Sequence, residues 1–163
     1  MVIREFLMSK SIGKRSFLVL SGLFLSLAFL AVSGPVPVEA GEMRKVAIHV
    51  DDNDPKRMNM ALNNIQNLKK YYDKKGQKVQ IELVAYGPGL HMLRSDTSPV
   101  KDRIATMALE IEGLQFSACG NTHSRMSKKA GKDVGLLSEA IKVPSGIVRL
   151  VELQEEGYAY IRP

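Results

Sequence analysis

Apolar positions along this chain alternate between short unbroken runs and longer stretches at helical spacing. Val46-Ala47-Ile48-His49-Val50 is nearly all apolar, which suits a strand covered on both faces better than one alternating toward solvent. Asp54-Pro55 then offers an N-cap and a first-turn proline. Met58, Ala61, Leu62, Ile65, Leu68 and Tyr72 recur at helical spacing until Gly76 stops the pattern. Val79 to Tyr86 reads as a second strand ending at Gly87-Pro88-Gly89, and a loop carrying His91 leads to Ser98-Pro99, another cap and first-turn pair. The helix after it shows Val100, Ile104, Met107, Ala108 and Ile111 on one face and ends at Gly113. Leu114 to Cys119 forms a third strand.

Beyond the third strand the pattern weakens to a polar turn from Asn121, a short helix, Gly131, Gly135 and a brief strand, Ala140 to Val143. Ser145 caps a helix containing Ile147, Val148, Val151 and Leu153, and Gly157 separates it from a terminal strand, Tyr158 to Ile161. Apolar strands alternating with helices imply right-handed crossovers. The expected fold is a single layered α/β domain whose mainly parallel sheet of about five strands is covered by helices. No internal repeat or low-complexity segment interrupts it.

The first forty residues have a different character. Arg4, Lys10, Lys14 and Arg15 stand against Glu5, and an apolar stretch then runs from Phe17 to Val32. Val38-Glu39-Ala40 places small residues where a signal peptidase reads, after Pro35 and Pro37 have broken any helix. Residues 1–40 are therefore expected to be a signal peptide cleaved after Ala40, and 41–163 an exported or periplasmic domain with no stable membrane span. An uncleaved anchor is the alternative. Lys14-Arg15-Ser16-Phe17-Leu18 echoes a twin-arginine signal, but the long apolar core points to the general route. No cysteine follows that core closely enough for a lipoprotein.

The remaining chain is long enough for one domain and too short for two. Of the 23 basic and 17 acidic side chains, four and two lie in the leader, so the mature part is mildly basic. Lys69, Lys70, Lys74, Lys75 and Lys78 supply most of the surplus at one helix end, where cations suit the dipole. No aromatic residues interleave with a basic groove, and nucleic-acid binding is not expected.

In a parallel sheet, ligand sites gather at the carboxyl ends of the strands. Four stretches map there: His49 to Asp54, Gly87-Pro88-Gly89 with His91, Cys119 to His123, and Lys142-Val143-Pro144-Ser145. Cys119 is the only cysteine, so in an exported protein it has no partner for a disulfide. Gly120 permits a tight turn, Asn121 or Thr122 caps the next segment, and exposed N–H groups would stabilise a thiolate. The competing reading is a small apolar residue packed at a strand end. His123, four residues on, could activate the thiol or join it as a metal ligand, but no third and fourth ligands stand at recognisable spacing. No metal site or Cys-His-Asn hydrolase is expected. Asp51-Asp52-Asn53-Asp54 lacks the glycine and distal glutamate of a calcium loop and reads as capping; His49 reads as a core or sheet-edge residue. Gly87-Pro88-Gly89 lacks the length and lysine of a phosphate loop, and there is no dinucleotide fingerprint, so no cofactor is expected.

Several segments together resemble the DsrE/DsrF-like family. They are the first strand with Asp51-Asp52, the Ala85-Tyr86-Gly87-Pro88-Gly89 corner, Ala118-Cys119-Gly120-Asn121-Thr122, Val143-Pro144-Ser145-Gly146 and the ending Gln154-Glu155-Glu156-Gly157-Tyr158-Ala159-Tyr160. The likeness spans residues 41–163 and is strongest to a branch of small, often exported members. It implies a compact parallel α/β domain that forms homo-oligomers, commonly built on trimers. For the sulfur-relay members it also implies a cysteine after the third strand that accepts sulfane sulfur as a persulfide and hands it on. Cys119 matches that acceptor, with Asn121, Thr122 and His123 as supporting residues and donor and acceptor proteins as partners. The alternative is a non-catalytic oligomeric binding or assembly module in which Cys119 is merely packed.

Overall fold

β1 (Arg44–Val50) and β2 (Val79–Ala85) run parallel along their whole length, from Arg44 beside Val79 to Val50 beside Ala85. β3 (Leu114–Cys119) and β4 (Ala140–Val143) extend the sheet on one side, and β5 (Ala159–Ile161) closes the other. The order is β4-β3-β2-β1-β5, every pairing is parallel, and the protein has the expected α/β fold. This computed structural model describes residues 43–163; the signal peptide expected at 1–40 lies outside the described residues.

α1 (Pro55–Lys74), α2 (Lys101–Glu110) and α3 (Gly120–Ala130) follow β1, β2 and β3, each a step in the same direction across the sheet. Right-handed crossovers therefore put all three on one face. The connection from β4 to β5 runs back across the sheet, so α4 (Gly146–Glu155) lands on the other face. The thicker core lies under α1 and α2, where Met58, Leu62, Ile65, Ile104 and Met107 meet Ile48, Leu83 and Phe116. On the opposite face Leu150 and Leu153 cover Ala47 and Val84. Burying each leucine is worth about 1.5–3 kcal/mol. That face also holds a charge inside the sheet: Glu82 of β2, 3% exposed, receives both arms of Arg149 at 2.9 Å and the Ser117 hydroxyl at 2.6 Å. The ion pair fixes α4 on its layer.

Local chemistry sets the helix ends. Asp54 caps α1 by accepting the Lys56 N–H at 2.9 Å, with Pro55 in the first turn as expected. α2 begins at Lys101 rather than at Pro99. The Ser98 hydroxyl donates to the Met92 carbonyl at 2.6 Å and accepts the Val100 N–H at 3.3 Å, which holds Pro99 and Val100 in a turn. The stretch carrying His91 is a 3₁₀ helix, Gly87–Leu93, and not an irregular loop. Ser145 precedes α4, but its hydroxyl makes no capping bond. Among the described residues no helix is long and apolar enough to cross a membrane.

Candidate functional site

Adjacent strands β3 and β4 send their helices to opposite faces, α3 beside the main core and α4 beside the smaller one. Helix starts from both layers therefore meet at the carboxyl ends of the two strands, the edge of the sheet where ligands bind in open α/β folds. Cys119, the last residue of β3, lies there.

No turn separates Cys119 from α3. The expectation of a polar turn capped by Asn121 or Thr122 gives way to a helix starting at Gly120, with Cys119 itself as N-cap. Its Sγ accepts the Thr122 N–H at 3.5 Å. The Asn121 and Gly146 N–H groups also bear on the sulfur, so the first turns of both helices converge on one atom. The Thr122 hydroxyl accepts the Gly87 N–H at 2.9 Å, which leaves its own proton for the thiol. Burial pushes the thiol up. The Thr122 hydroxyl and the N–H groups of Gly146, Thr122 and Asn121 together outweigh burial and hold it below its ordinary value.

The corner is tight. A Cβ on Gly146 would stand 2.8 Å from the Tyr86 Cβ and 3.2 Å from the Cys119 Cβ, and one on Gly120 would stand 2.9 Å from the Val143 carbonyl oxygen. Both positions must be glycine for the β4–α4 link to press on the thiol. Cys119 is in consequence only 5% exposed.

A row of side chains continues along the same edge. The Tyr86 ring stacks on His49, centroids 4.6 Å apart and planes at 15°. His49 Nδ1 shares a 2.7 Å hydrogen bond with the Tyr160 hydroxyl. His49 is 5% exposed, and its Nε2 is buried without a hydrogen-bond partner. The nearest carboxylate oxygen, Asp51 Oδ2, is 3.7 Å away and pairs with Arg162 at 2.9 Å. Burial pushes the imidazole down and outweighs the upward pull of Asp51, while Arg162 adds to the fall.

The residues singled out beside the thiol take different places. Thr122 touches it with hydroxyl and N–H, and Asn121 reaches it through its backbone N–H, its residue otherwise exposed. His123 does not act on it: the ring turns away into the fold, where Nε2 donates to the Val134 carbonyl at 2.7 Å and lies 3.6 Å from Asp133. It ties the segment after α3 back onto the helix. Asp52 pairs with Arg57, and Asp54 caps α1. Among the described residues no three His, Cys, Asp or Glu side chains form a metal-ligating group. Tyr160 and Arg162 carry no sequence signal, because their partners lie 111 residues away. Only the polar His49 inside an apolar strand hinted at a partner.

Fold and site define a small, all-parallel α/β protein with one thiol capped at the point where its helices part. No protein-family model and no curated protein matches the chain. A solved structure does: that of a protein of unknown function, MTH1491 from Methanobacterium thermoautotrophicum, with a TM-score of 0.62 and 33% sequence identity. The match covers 74% of this chain and 99% of the archaeal one, and the chain belongs to the same family as that protein.

Proposed function

We propose that the protein is an exported carrier of sulfane sulfur, of the relay type that the DsrE/DsrF-like resemblance implies, with Cys119 as acceptor. The observation that carries this reading is the convergence of N–H groups from two helix starts, with the Thr122 hydroxyl, on a buried sulfur. A thiol held below its ordinary value is a thiolate more of the time near neutral pH, and the thiolate is the nucleophile. In the first step it donates an electron pair to the outer sulfur of a donor persulfide. A new S–S bond forms on Cys119, the donor's S–S bond breaks, and the donor thiolate leaves with the electron pair. An acceptor thiolate then attacks the outer sulfur and releases Cys119. One sulfane bond replaces another throughout, so no oxidant or cofactor is needed.

Mass spectrometry of the protein after treatment with a sulfane donor tests this. The expected result is one added sulfur atom on Cys119 and none in Cys119→Ser. Absence of the adduct in the folded wild-type protein rejects the carrier.

One observation favours a second reading, an oligomeric binding or assembly module. Ile141 of β4 and Ile147, Val148 and Val151 of α4 expose 48–57% of their surface on the thinly covered side of the sheet. Apolar residues gathered on one side suit self-association. If Cys119→Ala assembles and binds as wild type does while the native thiol resists alkylation, the module reading replaces the carrier.

A further inference from the structure

We propose that Tyr86 is the side wall of the Cys119 slot and sets which sulfane donors enter, and that His49 is the positioning residue that holds it there. This rests on the carrier reading and adds a substrate class: the thin end of an unbranched sulfur chain, such as inorganic polysulfide, and not a disulfide bearing rings or branches.

Cys119 is 5% exposed, so any donor must pass between its neighbours. Those that the backbone supplies cannot yield. The first turn of α3 supplies the N–H groups of Asn121 and Thr122, and the start of α4 at Gly146 leaves no room for a Cβ. Two side chains adjoin the thiol as well: Thr122, whose hydroxyl is held by the Gly87 N–H at 2.9 Å, and Tyr86. The Tyr86 Cβ and Cδ1 would lie 2.8 and 3.0 Å from a Cβ at Gly146 and the residue is half-buried, so its side chain is the wall that a substitution can remove. The ring is backed by His49 in a near-parallel stack, and His49 is in turn tethered by the Tyr160 hydroxyl.

The unpartnered His49 Nε2 is what makes this more than packing. Phenylalanine would stack as well and avoid stranding a buried nitrogen. It could not take the Tyr160 hydrogen bond, and that bond fixes the plane against which Tyr86 rests. In the slot, the Cys119 thiolate attacks the end sulfur of the polysulfide. The new S–S bond forms as the chain's own S–S bond breaks, and the shortened polysulfide leaves with the electron pair.

The test compares the rates at which Cys119 reacts with methyl methanethiosulfonate, which is thin, and dipyridyl disulfide, which is wide; neither delivers sulfane sulfur. Tyr86→Ala is expected to raise the rate with the wide reagent, relative to the thin one, by about tenfold or more. Tyr86→Phe leaves the ratio unchanged, and His49→Ala moves it in the direction of Tyr86→Ala, with His49→Phe between. Tyr86→Leu serves if the alanine variant does not fold. An unmoved ratio in a folded Tyr86→Ala or Tyr86→Leu protein overturns the proposal, as does a thiol inert to both reagents in every variant. A wild-type protein that reacts with the thin reagent yet gains no sulfur from polysulfide defeats the carrier and leaves the wall standing.

Discussion

Thr122→Val keeps the shape of residue 122 and removes one hydroxyl that serves two partners. In the wild-type protein that oxygen accepts the Gly87 N–H at 2.9 Å and its proton supports the Cys119 sulfur. Losing the first contact strands a partly buried N–H, at about 1–3 kcal/mol. Losing the second removes one of several donors to a thiolate. A hydrogen bond to a charged group is worth about 1.5–3 kcal/mol, and sulfur, a soft acceptor, belongs at the lower end. The two losses separate with pH. The folded thiol lies below its ordinary 9.0, so the stability it contributes is fully present above 9.0 and is lost as pH falls through the folded value. Below the folded value the variant should therefore show only the Gly87 loss, since there the thiol is protonated in both proteins. Above 9.0 the gap should widen by about 1.5 kcal/mol. Denaturant unfolding of both proteins across this range measures the gap, and iodoacetamide alkylation against pH should show the midpoint moving up. A gap independent of pH, with an unmoved alkylation midpoint, would refute the claim that this hydroxyl supports the thiolate.

Two further outcomes are expected. Arg149→Met leaves the Glu82 carboxylate, 3% exposed, with only the Ser117 hydroxyl, and should lower unfolding stability by about 3–5 kcal/mol; adding Glu82→Leu should restore most of it. A loss under about 1 kcal/mol in a urea titration would show that the pair does not hold α4. His49 is held below 6.5 by burial, so the unfolded chain binds more protons between the folded value and 6.5, and stability falls as pH drops through that window. His49→Phe should flatten this acid limb; the contribution of His91, also pushed down by burial, is common to both proteins and cancels. Equal slopes below 6.5 would mean that His49 is not kept neutral by the fold.

The nearly unbroken apolar run announced β1, because a strand covered on both faces leaves little choice of composition, and the bounding glycines announced β2 and β3, all to within two residues. Asp54-Pro55 announced α1 for a similar reason, the side-chain cap being local. The start of α3 was hidden. Gly120-Asn121-Thr122 looks like a turn, and a sulfur atom as N-cap is not among the usual signals. Ser98-Pro99 misled because the serine hydroxyl has a second acceptor, the Met92 carbonyl, that only the folded chain brings near. The thiol corner itself was legible at Cys119 to Thr122, while His123 at helical spacing proved to belong to Val134. The Tyr86–His49–Tyr160 row was not legible. The His49–Tyr160 bond depends on β5 lying beside β1, a pairing across 111 residues that no local pattern announces, and the Tyr86–His49 stack joins the ends of two different strands.

Because one atom both begins α3 and is the protein's only thiol, the natural control for its chemistry is gentle. Serine is among the preferred residues at a helix start, and its oxygen is a better acceptor than sulfur. Cys119→Ser should thus preserve or strengthen the first turn while silencing the nucleophile. On the carrier reading, a chain built for rigidity alone would carry serine at 119, and the cysteine there trades helix capping for reactivity.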